Sequence, residues 1–98
     1  MENVHKVDAW KIYDKPSAQV IAMKLHPGDF LKPHKTPVDV FFYVLEGKGI
    51  VRIGDEQNEV EKDCIIHSPA KIIHSWTNNS NSLLRILIVK TPNPGYNK

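Results

Sequence analysis

The chain has 98 residues, a formal net charge of +2 and a single cysteine, Cys64. This length suits one domain with a single hydrophobic core, one cysteine excludes an internal disulfide, and the small, dispersed positive charge argues against nucleic-acid and membrane partners. The start of the chain lacks the basic-then-apolar pattern of a signal peptide, and no apolar run is long enough to span a membrane. We therefore expect a cytoplasmic location.

The first half of the sequence predicts strands after an amino-terminal segment. Residues 1–18 carry scattered apolar positions and are interpreted as an arm or an edge strand. Gln19 to Leu25 alternates side chains as a strand does, and Phe30 to Thr36 is a short extended piece interrupted by proline, which favours an edge. Val38 to Leu45 is the strongest predicted strand. Because both of its faces are apolar beyond Asp39, its outward face needs cover from the amino-terminal arm or a second subunit.

The second half predicts further short strands separated by turn residues, at Ile50–Ile53, Gln57–Val60, Cys64–His67, Ile72–Thr77 and Leu83–Lys90. Residues 91–98 contain two prolines and a glycine, so a flexible, non-regular tail is expected. No segment has a sustained helical period. The sequence therefore predicts one all-β domain over residues 1–98, with its barrel core at residues 19–90 and little or no helix.

Two histidine-containing motifs carry a resemblance to a known family. The first motif of the cupins is matched in spacing by Gly28, His34 and Gly47, and the second by Pro69, His74 and Asn78. Both motifs occur in the expected order and at a separation typical of compact members. The chain therefore resembles a small single-domain cupin, which implies a jelly-roll barrel of two antiparallel sheets.

The match to the first motif is incomplete at the positions that matter for a metal. Metal-binding cupins hold their ion with three histidines and a glutamate, and here Thr36 and Val40 stand where the second histidine and the glutamate are expected. In the second motif, Asp63 and Lys71 replace the usual glycines. The resemblance thus leaves one divalent transition metal (iron, manganese, zinc, nickel or copper) on His34 and His74 as the minority interpretation, with Thr36 or Asp39 as candidate additional ligands, and no cofactor is predicted firmly. Two imidazoles fall short of the three protein ligands usual for a catalytic metal.

Counting along the strands by twos predicts which side chains face the interior. Trp76 shares the face of His74, and Phe42 and Val40 share the inward face of the long strand. The predicted ligand pocket is therefore mostly apolar with a few polar anchors, as small-molecule sites are. Its lining comprises His34, Thr36, Val40, Phe42, His74 and Trp76. The alternative is that these side chains simply fill a narrow barrel.

Three functions remain open on this basis. The favoured prediction is a metal-depleted barrel that binds a small molecule, with His34 and His74 as hydrogen-bonding groups and Trp76 as a stacking wall. The first alternative is a metal-dependent dioxygenase, isomerase or decarboxylase on the same histidines, so catalytic activity stays open. The second alternative is a structural module with a filled barrel. A homodimer is expected because Phe41, Tyr43 and Leu45 form an outward apolar face.

Overall fold

The computed structural model describes residues 7–95, and the predictions for residues 1–6 and 96–98 lie outside this range. Within it the chain forms nine strands and no helix. Their bounds are β1 Asp8–Lys15, β2 Ala18–Leu25, β3 Phe30–His34, β4 Asp39–Glu46, β5 Lys48–Ile53, β6 Glu56–Glu61, β7 Ile65–Ser68, β8 His74–Thr77 and β9 Leu84–Thr91. The prediction of an all-β fold is confirmed.

The strands form two antiparallel sheets that pack face to face. One sheet has five strands in the order β1-β2-β9-β4-β7, and the other has four in the order β3-β8-β5-β6. Consecutive strands repeatedly enter different sheets, as β3 and β4 do, and as β7 and β8 do. This connectivity is that of a jelly roll, in which two curved sheets enclose one core.

The core follows from alternation along the strands. In β4 the buried side chains are Val40, Phe42 and Val44, while the residues between them are partly exposed. The same pattern in β9 buries Leu84, Ile86 and Ile88. Since β4 and β9 are hydrogen-bonded neighbours, these two rows form a continuous apolar wall, and Trp76 of β8 packs against it from the opposite sheet.

The amino-terminal segment forms an edge strand and does not cover β4. Strand β1 pairs with β2 and is exposed along its whole length. Strands β2 and β9 separate it from β4 in the sheet order. Of the two covers predicted for the apolar outward face of β4, the amino-terminal arm is therefore wrong as far as the structure describes it. Strand β1 extends the sheet sideways and does not lie over β4.

Asp63 and Lys71, which replace glycines of the family pattern, adopt the backbone conformation that glycine favours. Their φ angles are 71° and 68°. Each residue lies in a turn that a backbone hydrogen bond to a distant part of the chain holds in place. The Asp63 amide donates to the Val44 carbonyl, and the Lys71 amide donates to the Thr36 carbonyl, both at 2.8 Å. The turn geometry is thus kept at a modest conformational cost, since non-glycine residues in this region are uncommon but allowed.

Candidate functional site

Strand pairing brings the two predicted histidines together. Strand β3 pairs with β8, and His34 lies directly opposite His74 in the register. An irregularity between Leu31 and His34 shifts the pairing there, so that His34 ends its strand next to its partner. The two rings meet edge to face, with centroids 4.6 Å apart. His34 and His74 are 40 residues apart in sequence, and the resemblance to the two motifs predicted that they would lie together.

The two imidazoles belong to a short polar chain that runs from the surface to the interior. The Nε2 atoms of His34 and His74 are 3.3 Å apart. On its other side, His74 Nδ1 lies 2.9 Å from the Oγ atom of Ser68, which is fully buried on β7. At the outer end, His34 Nδ1 lies 3.2 Å from the Lys32 carbonyl oxygen. The exposed His34 ring is therefore connected through His74 to a buried hydroxyl.

Burial keeps His74 uncharged near neutral pH. His74 is 2% exposed. Loss of water lowers the pKa of His74 from 6.5 to about 4, and the nearby His34 and Lys90 act in the same direction. A neutral imidazole has one N–H donor and one lone pair, so each of its nitrogens has a distinct role.

The hydrogen-bond partners determine those roles. A carbonyl oxygen only accepts, so His34 Nδ1–H donates to Lys32, and a neutral His34 must accept at Nε2. His74 then donates from Nε2–H to His34 and accepts the Ser68 hydroxyl proton at Nδ1. A proton added to His34 at Nε2 reverses both bonds, because His74 must then accept at Nε2 and donate from Nδ1 to Ser68. The arrangement couples the state of the exposed ring to a buried hydroxyl.

Phe42 and Trp76 continue this line into the core. The Phe42 ring lies edge to face with His74 at 5.2 Å and with Trp76 at 5.4 Å. Both side chains are 0% exposed, and in this structure they fill the interior. The buried indole N–H of Trp76 has no hydrogen-bond partner within residues 7–95. The ring accessible to a ligand from outside is that of His34.

The remaining predicted site residues differ in how far they are buried. Val40 and Thr36 are both buried, with 1% and 5% exposure. Asp39 is exposed, and its carboxylate accepts a 2.8 Å hydrogen bond from the Ala70 amide. Asp39 therefore stabilises the loop before β8, as expected for a side chain on the face opposite Val40.

The histidine pair by itself makes half of a metal site. Two nitrogens bound to one tetrahedral ion, each about 2.0–2.1 Å from it, lie about 3.3–3.4 Å apart. The Nε2 separation of 3.3 Å fits this spacing. However, residues 7–95 contain no group of three or more histidine, cysteine or acidic side chains that could hold an ion. The donor set in the described chain therefore does not reach the count of a catalytic metal centre.

Two polar residues near the histidines were not predicted from the sequence. Ser68 lies opposite Val40 in the pairing of β7 with β4, and it points inward where a turn was expected. Lys90 lies opposite Val40 on the other side, and it is half-buried. Counting by twos from Ile86 and Ile88 would have placed Lys90 on the inward face. No comparable signal marks Ser68.

Two surface grooves lie near the barrel. One, of about 350 Å³, is lined by Lys48, Glu59, Val60, Glu61 and Cys64. The other, of about 330 Å³, is lined by Pro33, Arg52, Gly54, Asp55 and Ile73. Pro33 and Ile73 directly precede His34 and His74 in sequence, but neither histidine lines the second groove. The six predicted pocket residues line neither groove.

Comparison with known proteins identifies the family. The two-sheet jelly roll defines the class of double-sheet β-barrels, and the family model described as the cupin domain matches residues 21–90. The chain therefore belongs to the cupin domain family, and the predicted resemblance is confirmed.

As for membranes, residues 7–95 include no helix of the length and apolarity needed to cross one.

The chain is also similar to other sequences and to solved structures. The chain is 36% identical over 62 residues to the uncharacterized protein MJ1618 of Methanocaldococcus jannaschii, a match covering 63% of this chain and 49% of that protein. It is 28% identical over 76 residues to the uncharacterized protein SCO3923 of Streptomyces coelicolor, covering 78% and 70%. The chain thus spans about half the length of the first relative and more of the second.

Among solved structures, TT1209 from Thermus thermophilus is similar with a TM-score of 0.86 and 28% identity, over 94% of this chain and 89% of that one. BH2720 from Bacillus halodurans is similar with a TM-score of 0.80 and 28% identity, over 84% and 67%. A double-stranded β-helix protein from Klebsiella pneumoniae reaches a TM-score of 0.86 at 14% identity, over 96% and 84%, and that likeness concerns the fold alone.

Proposed function

We propose that this cupin-domain chain binds a small molecule at the His34–His74 pair. One observation carries the proposal: a buried, neutral imidazole is hydrogen-bonded both to a buried hydroxyl and to a ring that reaches solvent. Burying a polar group costs free energy unless its hydrogen bonds are satisfied. A barrel needed only as a structural support would fill this position with an apolar side chain at lower cost.

The chemistry of the pair favours a ligand with at least one polar group. The hydrogen bond between the two rings is 3.3 Å long, near the upper limit for a good bond. A hydroxyl group can replace it with two shorter bonds, since it can accept from His74 Nε2–H and donate to His34 Nε2.

The test is a ligand screen with matched histidine variants. Ligand-detected NMR with a library of small polar and aromatic molecules identifies binders of the wild-type protein. His34→Ala should weaken them about tenfold or more, which corresponds to the loss of one strong hydrogen bond. His26→Ala is the control, because His26 is also exposed but lies 3.4 Å from the Asp8 carboxylate, away from the pair. Equal binding by both variants would contradict the proposal.

A metal-bound form is the second candidate, and the 3.3 Å spacing of the two Nε2 atoms favours it. His34 and His74 would be its protein ligands, and an ion there would act as a Lewis acid toward a bound oxygen. Elemental analysis of untagged protein purified without chelator tests this candidate. About one equivalent per chain, lost in His34→Ala and kept in His26→Ala, would support it. A value near zero, even after incubation with iron, manganese, zinc, nickel or copper, would refute it.

We also propose that the chain forms a homodimer through the outer face of the five-stranded sheet. Strand pairing aligns one apolar row across all five strands: Trp10, Ala22, Leu87, Tyr43 and Ile65. A second row runs beside it through Tyr13, Val20, Val89 and Phe41. At the two ends of the first row, Trp10 is 44% and Ile65 is 64% exposed. An apolar surface that extends over a whole sheet favours a protein partner, and a second copy is the commonest one.

Light scattering coupled to size-exclusion chromatography tests the dimer at micromolar concentration. The wild-type protein should have about twice the chain mass, and Ile65→Lys should shift it toward one chain mass by burying a charge in the interface. Ile72→Lys is the control, since Ile72 is also exposed but precedes β8 of the other sheet. A wild-type protein with the mass of one chain would refute the proposal.

A further inference from the structure

A lysine lies on the inner side of the barrel wall next to the histidine site. Strand β9 places Leu84, Ile86 and Ile88 in the core, and Lys90 follows in the same alternation. Its neighbours in the sheet are Val40 on β4 and Gln19 on β2. Val40 is buried, so the Lys90 side chain leaves the sheet on the face that carries the core. This position is unusual, since lysine is seldom placed inward without a partner.

The Lys90 ammonium lacks a compensating negative charge. Burial lowers its pKa, and burial is the sole cause of the shift. The ion pairs within residues 7–95 join Lys11 to Asp14, His26 to Asp8 and Arg85 to Glu46, and none of them includes Lys90. The nearest acidic neighbour along β4, Asp39, points to the other face and accepts from the Ala70 amide. A half-buried cation is thus left without a carboxylate in the described chain.

Strand pairing connects Lys90 to the histidine pair through one row of the sheet. Lys90 and Ser68 are the neighbours of Val40 on its two sides. Ser68 in turn is hydrogen-bonded to His74, with Oγ 2.9 Å from Nδ1. Lys90, His74 and His34 therefore form one positively biased region, with a buried apolar wall behind it.

We propose that the small molecule bound at this site is an organic carboxylate, with its negative oxygen near Lys90 and an adjoining polar group at His34 and His74. This inference rests on the proposed function and adds the ligand class. One ammonium balances one negative charge, and neutral imidazoles supply hydrogen bonds without adding charge. A phosphate dianion carries two charges, whereas the inward-facing Lys90 balances one.

The experiment compares carboxylates with their uncharged isosteres. Lactate is paired with lactamide and benzoate with benzamide, at constant ionic strength and pH 7.5, and binding is followed by NMR shifts of the histidine ring protons. The wild-type protein should bind each carboxylate about tenfold or more tightly than its amide, as expected for one charge-assisted hydrogen bond. Inorganic phosphate is titrated in parallel and should bind more weakly than either carboxylate.

Three lysine variants connect the preference to Lys90. Lys90→Met keeps the side-chain length and should abolish the difference between carboxylate and amide, while Lys90→Arg should retain most of it. Lys24→Met is the control, because Lys24 lies on the outer face of the same sheet, over the Trp10 ring. Thermal unfolding should show that Lys90→Met is folded, and removing a buried charge is not expected to lower its stability.

Each result discriminates between this inference and the proposed function. Equal binding of carboxylate and amide, or a carboxylate preference that survives in Lys90→Met, would overturn the carboxylate inference. The proposed function would still hold if His34→Ala weakened the binders found in the screen. If neither member of any pair binds the wild-type protein, the carboxylate inference fails, and an empty screen would remove the proposed function with it.

Discussion

The neutral, buried His74 predicts a specific loss of stability in mild acid. The unfolded chain binds a proton at His74 with a pKa near 6.5, whereas in the folded protein that pKa is lowered to about 4. Between these two values the unfolded state binds more protons than the folded state. The contribution of His74 to folding stability is therefore fully present above pH 6.5 and is lost as the pH falls toward 4.

The two pKa values set the size of the effect. The difference in proton binding lowers the free energy of unfolding by about 2 kcal/mol between pH 7 and pH 5, and by about 3 kcal/mol at pH 4. The ring is 2% exposed, so solvent screens this term little. For a domain of this size the total stability is about 5–15 kcal/mol, which makes a change of this size measurable.

The assay is urea unfolding at several pH values, in the presence of a chelator so that metal binding does not alter the titration. The comparison is with the double variant Ser68→Ala with His74→Phe, which removes both members of the buried polar pair. Other acidic and basic groups titrate in both proteins, so the difference between their unfolding free energies isolates His74. That difference should shift by about 2 kcal/mol in favour of the variant from pH 7 to pH 5. Parallel curves would refute the account of His74 as a buried neutral base.

Two further predictions test the turn geometry and the motif alignment. Gly47→Ala should destabilise the protein by about 2–5 kcal/mol in urea unfolding, since a left-handed residue without glycine costs about 1–2 kcal/mol and the added Cβ would also collide with the Leu83 carbonyl oxygen. Thr36→His with Val40→Glu should raise transition-metal affinity at least about tenfold in competition with a chromophoric chelator, because it restores the donor number of a complete site.

Each of these has a matched control. Gly28 also has a positive φ of 89°, but a Cβ there would meet no atom within 4 Å. Gly28→Ala should therefore show the conformational cost alone, and equal effects at the two glycines would contradict the collision. For the metal site, Lys35→His with Asp39→Glu places the same side chains one residue away, on exposed positions. A gain in affinity as large as that of the inward pair would show that the motif alignment is wrong.

Much of the fold was predictable because strand alternation is a local property. The predicted strand at Gln19–Leu25 corresponds to β2, and the one at Val38–Leu45 to β4, each within a residue or so of its observed ends. The inward assignment of Val40, Phe42 and Trp76 agrees with their burial. These features depend on the period of the backbone and on turn residues between the strands, which a sequence displays directly.

The site was predictable only in part. The motif spacing indicated that His34 and His74 belong together, and β3 does pair with β8 at these residues. The sequence favoured filling for Phe42, but for Trp76 it left open whether the ring lines a cavity or fills the barrel, because that depends on the distance between the two sheets.

The amino-acid sequence by itself determined the all-β class and the inward and outward faces of the strands, since both follow from side-chain periodicity. The pair of histidines was implied by the resemblance to the cupin motifs. The tertiary structure decided the electrostatics of the site. Ser68 contacts His74, and Lys90 takes its inward place, only through the pairing of β7 and β9 with β4. Asp39 is held away from the pair by the hydrogen bond that it accepts from the Ala70 amide. Burial and charge at a site are sums over neighbours that are distant in sequence, and only strand pairing specifies those neighbours.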